Sequence, residues 1–297
     1  MGYNNLARFI RGMRYFFLFT TAALVAPLFA SGPEYAQALN LYKRTEYQAS
    51  LKLLLPVPQK DPGELVLIGQ NYFMLGDAKR ASDLFQKATA AEPNRSEYFH
   101  WLGRAYGRRA EISNPFSAMS LASKARQNFE KAVQLDPKNS EAVNDLFEYY
   151  LEAPGFMGGG LDKAAQLAEH IAELNSSEGY WARARIAEKR KEFPSAEQHL
   201  RRAMEVAPHQ VGRILDLAKF LAKQGRFDES DQTFAAAEKL APNTPKVIYA
   251  RAATYIETKR NIGAARELLE KYLASQLTPD DPPRSEAQKL LRQASGG

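Results

Sequence analysis

The side chains that could do chemistry in this sequence are few and scattered. Residues 155–160 read GFMGGG and run into LDK, and a glycine-rich turn ahead of a helix can present free backbone N–H groups to an anion. No strand pattern precedes the turn, and it lacks the GxxxxGK[ST] spacing of a phosphate-binding loop. The plainer reading is an extended turn between two helices, with Asp162 near the cap of the second. The four histidines, His100, His170, His199 and His209, form neither an HExxH motif nor an i, i+4 pair, so no metal site is implied. Asp280 and Asp281 fall in a Pro-rich stretch and read as solvated turn residues. The chain has no cysteine, which excludes disulfides, thiolate metal sites, lipid attachment at an N-terminal Cys and Cys nucleophiles together. With no GxSxG or similar nucleophile signature, no cofactor and no catalytic residue are implied, and the chain does not read as an enzyme. The alternative is an envelope enzyme or accessory subunit whose chemistry uses the loop at 155–160.

The elements that would position these groups are helices. Ala, Leu, Glu, Lys, Arg and Gln recur throughout, hydrophobic residues make up 45% and charged residues 25%, and alternating Val, Ile and Thr runs are hard to find. One spacing repeats along the chain. Gly69, Tyr72, Ala81, Phe85, Ala88 and Pro93 are separated by 3, 9, 4, 3 and 5 residues. Ala184, Ala187, Ala196, Leu200, Ala203 and Pro208 repeat the pattern, as do Ala218, Leu221, Ser230, Phe234, Ala237 and Pro242. Ala252, Tyr255, Ala264, Leu268, Lys271 and Gln276 continue it at a period of 34, with the last two positions degraded. Spacings of three and four put side chains on one helix face. Each unit therefore holds two helices: small residues let them approach, large ones fill the gap between them, and the late Pro stops the second.

Two units are longer. Gly103 and Tyr106 begin one whose second helix resumes at Ala125, Phe129, Ala132 and Pro137, with about ten residues added. Ser113, Asn114 and Pro115 supply a cap followed by Pro in the first turn, so that helix is expected to start there and run to Leu135. Phe147 and Tyr150 begin the next unit, which resumes at Ala164 after the added glycine-rich loop. The first unit, 35–62, is irregular, and 284–294 form a last amphipathic helix beyond the break at 279–283, both as caps of an array. The expected total is seven helix pairs and one cap helix.

This 34-residue pattern resembles the tetratricopeptide repeat family over nearly all of residues 31–276. LGDAKRASDLFQKATAAEPN and QGRFDESDQTFAAAEKLAPN look like its second helix with flanking turns. The resemblance implies an all-α fold, a right-handed α-solenoid of antiparallel helix pairs whose concave surface binds extended peptides or partner helices. One turn from each small packing residue, the candidates for that surface are Gln70, Phe73, His100, Arg104, Arg108, Asn144, Glu148, Trp181, Arg185, Lys219, Lys223 and Tyr249. Aromatic and Arg side chains are enriched at binding centres. A groove holding Arg104, Arg185 and Lys219 would favour an acidic or C-terminal-carboxylate ligand. The paired Lys and Asn of the family's carboxylate-clamp subset are absent, and the same residues would equally suit solvated helix faces. An insertion like that at 153–164 is familiar from exported bacterial members of unknown role, and implies no activity.

The N-terminus differs in kind. Arg8, Arg11 and Arg14 precede the uncharged run YFFLFTTAALVAPLFA at 15–30, which ends in small residues. That is the layout of a secretory signal, cleaved after Ala30, or of a retained inner-membrane anchor. A spanning helix needs roughly 20 apolar residues, and Pro27 breaks the last turn of this shorter run. Removing the three arginines lowers the formal charge from +6 to +3, with 37 basic against 34 acidic residues, which argues against nucleic acid as partner. The expectation is a signal segment at 1–30, a repeat array at 31–276 and a linker with a capping helix at 277–297. Such a chain would be a non-catalytic protein- or peptide-binding scaffold in a bacterial periplasm or cell envelope, touching membrane only through 15–30 if that segment is retained.

Overall fold

A computed structural model describes residues 32–295, so the apolar run at 15–30 and its expected cleavage lie outside the described residues. Those residues form fifteen α-helices and one 3-10 turn, with no strand among them. None of these helices is long and apolar enough to cross a membrane. The described residues divide into two compact units, 32–167 and 168–295.

In the first unit, α1 (Pro33–Lys43) pairs with α2 (Tyr47–Leu54), α3 (Pro62–Met74) with α4 (Ala78–Ala91), and α5 (Ser96–Ile112) with α6 (Pro115–Leu135). Then α7 (Ser140–Glu152) leads through a 3-10 turn at Gly155–Met157 into α8 (Leu161–Leu174), whose second half, from Ala168, belongs to the second unit. The first helices α1, α3, α5 and α7 contact one another in sequence, so the pairs stack side by side. Local chemistry sets the boundaries. Asp61 and Glu64 form a reciprocal capping box at α3, and Asn114 Oδ1 accepts from Ser117 N at 3.1 Å to start α6 where its Asn-Pro pair predicts. Asn139 caps α7 and also donates to Ser96 Oγ at 2.9 Å, which in turn donates to the Ala132 carbonyl at 2.8 Å. One cap thereby ties three helices together. In the core the ring of Phe85 lies over Gly69 and that of Phe129 over Gly103; a Cβ at either glycine would come within 2.6 Å of the ring. The small-then-large spacing is this interlock.

In the second unit, α9 (Ser176–Arg190) pairs with α10 (Phe193–Val206), α11 (Val211–Lys223) with α12 (Phe227–Leu240), and α13 (Pro245–Glu257) with α14 (Ile262–Ala274). The buried stripe falls on Ala184, Ala196, Leu200 and Ala203, then on Ala218, Leu221, Phe234 and Ala237, as the spacing requires. The last pair corrects the sequence register. Ala265, Leu269 and Tyr272 are buried, not Ala264, Leu268 and Lys271. The turn before α14 holds one extra residue, and Lys259 and Asn261 take left-handed conformations to accommodate it. The repeat is therefore slipped rather than degraded. Finally α15 (Arg284–Ser295) lays Ala287 and Leu290 on Leu269, Tyr272 and Leu277 and closes the core. Asp281 is buried, not solvated: its carboxylate accepts from Thr278 N at 2.9 Å and Thr278 Oγ1 at 3.0 Å, fixing the turn into α15.

Candidate binding faces

In the first unit the candidate residues lie on α3, α5 and α7, whose core stripes hold them in place. Phe73 and Trp101 meet edge to face with centroids 5.6 Å apart. The Arg104 guanidinium covers both rings, 4.3 Å from the Trp101 centroid and 5.4 Å from Phe73, a stacked cation within an aromatic pair. His100 is only 2% exposed; its Nε2 lies 2.7 Å from Asp145 Oδ2 on α7, and its Nδ1 lies 3.9 Å from Glu141. Arg108 pairs with Glu111 at 2.8 Å. Asn144 and Glu148 are buried on α7, and Gln70 is half-buried. These side chains are not solvated helix-face charges. Phe73, His100, Arg104, Asn144 and Glu148 are buried; His100 faces Glu141 and Asp145, Arg108 faces Glu111, and Arg104 rests on the two rings with its Nε buried and not hydrogen-bonded among the described residues. Burial raises the nearby Glu97 carboxyl against the pull of Arg95 and His100.

The loop at 155–160 belongs to this unit and is closed on itself. The N–H groups of four consecutive residues are occupied: Met157 and Gly159 donate to the Pro154 carbonyl, Gly158 to Gly155 and Gly160 to Tyr150. The Tyr149 hydroxyl donates to the Met157 carbonyl at 2.9 Å and Met157 is buried. A Cβ on Gly159 would lie 1.9 Å from the Ala153 carbonyl oxygen, and Gly158, at φ +85°, rests on Arg126. These glycines serve close approach and a left-handed turn. The Arg126 guanidinium below them bonds Glu130, which also accepts from Tyr150. Burial pushes the Tyr149 phenol up to about 12, with Arg126 opposing.

In the second unit the candidate face is built differently. Trp181 is buried on α9, and Arg185 one turn on lies 3.6 Å from Glu188. Beside Trp181 stands Arg213 of α11, only 3% exposed, its guanidinium 5.7 Å from the indole centroid. Glu178 lies 3.3 Å from Arg213 Nη2, and Asp216 lies 3.4 Å from Nη1. Yet Arg213 Nε and Nη1, Glu178 Oε2 and Asp216 Oδ2 are all buried without a hydrogen bond among the described residues. Around this pair stand Lys219, Lys223 and Lys246, so four cations meet two carboxylates. Burial pulls the Lys219 ammonium below the usual lysine range against the attraction of Asp216, and Lys223, Lys246 and Arg213 add to the lowering. Burial likewise raises the Glu178 carboxyl, with Arg213 opposing. Lys223 is exposed, and Tyr249 packs on Tyr272 at 5.1 Å, turned to the core of the last pair.

The sequence reading named Trp181, Arg185, Lys219 and Lys223 for this face and did not name Glu178, Arg213, Asp216 and Lys246, which stand among them. A signal was present. Glu178 and Lys246 each precede the small packing residue of their helix by six positions and Arg213 by five, which brings the starts of consecutive first helices together. Counting a single turn from the small residue stopped short of them.

Comparison with known proteins bears on the fold. A tetratricopeptide repeat model matches residues 187–254, from within α9 into α13. A tetratricopeptide repeat protein from Parabacteroides merdae is similar in structure at 12% identity and a TM-score of 0.57, over 89% of this chain and 100% of that one. A thermophilic tetratricopeptide repeat protein of Thermus thermophilus is similar at 19% identity and a TM-score of 0.52, over 63% of this chain and 97% of that one. No curated protein matches the sequence. The matched repeat, the interlocked small and large residues and the succession of antiparallel helix pairs give this chain a fold similar to that of tetratricopeptide repeat solenoids.

Proposed function

We propose that the chain is a non-catalytic scaffold that holds an acidic segment of a partner protein on the first-helix face of its second unit. The observation that carries this reading is Arg213, buried beside Trp181 with Nε and Nη1 lacking hydrogen bonds, amid Lys219, Lys223 and Lys246. Arg213 Nη1 stands 3.4 Å from Asp216 but makes no hydrogen bond among the described residues, and an incoming carboxylate balances the cation surplus around the two acids. The aromatic floor of Trp181 supplies apolar contact beside the charges, the combination expected at an interaction centre. Export to the cell envelope is part of the proposal and rests on the basic and apolar pattern of residues 1–30. A fluorescent Glu-rich peptide with a free C-terminal carboxylate is expected to bind the chain and to lose about tenfold in affinity or more when Lys219 and Lys246 are both changed to Glu. Unchanged affinity in that variant would remove the second unit's face from the account.

A further inference from the structure

The α5–α6 pair is longer than its neighbours, and the extra length lies at its shared turn. The first helices α3, α7, α11 and α13 have 13 residues against 17 in α5; the second helices α4, α8, α10 and α12 have 14 against 21 in α6. From the small residue Gly103, α5 continues four residues further than α3 does from Gly69, and α6 begins seven residues earlier relative to its core stripe than α4. At 1.5 Å per residue the tip extends about 6–10 Å past the ordinary turn.

That tip carries no charge. Residues 112–123 read ISNPFSAMSLAS, twelve in a row without a charged side chain, in a chain that is 25% charged. Ile112 is 73% exposed, Phe116 82% and Met119 39%. The polar groups at the turn are satisfied within it: Ser113 Oγ donates to the Arg109 carbonyl at 2.7 Å, and Asn114 caps Ser117. At the base stand two cations, Arg109 and Lys124, both held over the Tyr106 ring, at 5.7 and 5.5 Å from its centroid. Because the pairs stack side by side, the turns between paired helices share one edge of this unit. That edge also presents Leu75 and the 69%-exposed Phe156.

We propose that this tip is an interfacial membrane anchor, with Ile112, Phe116 and Met119 entering the acyl boundary and Arg109 and Lys124 resting among anionic headgroups. Apolar side chains on a convex point offer a protein partner no pocket, whereas lipid demands no shape complementarity. The reach of the tip equals the roughly 5–10 Å to which interfacial elements sink, and cations belong one step above the apolar residues. This gives the folded unit a contact with lipid separate from the segment at 15–30.

The chain has no cysteine, so Phe116→Cys introduces a single attachment site for an environment-sensitive fluorophore in the full chain. Leu55→Cys, exposed at the end of α2 and on the opposite edge of the same unit, is the control. With phosphatidylcholine vesicles containing phosphatidylglycerol, the label at 116 is expected to shift to the blue and resist an aqueous quencher, while that at 55 stays unchanged. Adding Ile112→Asp and Met119→Asp should weaken the response about tenfold. Equal protection at 55 and 116, or no protection at 116, would overturn the proposal, as would a lipid-free shift that grows with protein concentration and so reports a second copy.

Discussion

The two units place similar residue types on equivalent helix faces and differ in how their cations are balanced. In the first, Arg104 stacks on two aromatic rings, with its Nε buried and not hydrogen-bonded among the described residues, His100 meets Asp145, and Arg108 meets Glu111. In the second, Arg213, Lys219, Lys223 and Lys246 share Glu178 and Asp216, and hydrogen-bonding capacity is left over on both sides. A face whose charges are matched internally gains little from a charged ligand. A face with surplus cations gains from an anion the balancing charge that its own residues do not supply. Charge composition alone does not separate the two; the partners do.

The comparison can be broken most forcefully at Glu178. Glu178→Ala leaves Arg213 buried with one carboxylate fewer, a change expected to cost about 3 kcal/mol and to lower the melting temperature of the second unit. Thermal unfolding followed by circular dichroism checks it, and a neutral outcome would mean that Arg213 is already solvated. In the first unit, Trp101→Ala removes the floor under Arg104 and should cost about 2–3 kcal/mol of stability while leaving acidic-peptide affinity within twofold. Loss of peptide binding in that variant would erase the distinction between the faces.

The distinction also predicts a pH signature. Lys219 titrates below its ordinary 10.5, so between its folded and unfolded values the unfolded chain binds more protons, and this residue makes stability rise with pH up to about 10.5. Glu178 titrates above its ordinary 4.5, so the folded chain binds more protons and stability falls as pH rises from 4.5 through the raised value. Lys219→Met should flatten the alkaline rise, and Glu178→Gln the acidic fall, in melting temperatures measured across pH. The smallest expected effect is at the α5–α6 turn. Asn114→Ala removes the α6 cap for about 1 kcal/mol, whereas Phe116→Ala, at an exposed position, should leave the melting temperature unchanged.

Much of the fold is readable from the sequence because its determinants are local. Asn114 and Pro115 state where α6 begins, and Gly69 and Gly103 mark where Phe85 and Phe129 must fit. The slip at α14 is not readable by period, because one extra residue in the turn at 258–261 displaces every later position while the residue types still look helical. The site divides the same way. A periodic count finds Arg185 and Lys219, each one residue past a small packing position. Arg213 and Lys246 acquire their meaning only when the starts of α9, α11 and α13 lie together; their offsets from the small packing residues mark the positions, but their being neighbours is a long-range juxtaposition. The burial of His100 and Glu148 escapes the sequence for the same reason, since charged residues on a polar helix stripe look solvated until a neighbouring helix covers them.

Hydrogen exchange measured on the chain with and without the Glu-rich, free-carboxylate peptide tests the central claim most directly. The claim predicts new protection in α11 and at the starts of α9 and α13, with α3, α5 and α7 exchanging as before. Protection centred on α5 and α7, or none at peptide concentrations that saturate binding, would contradict it.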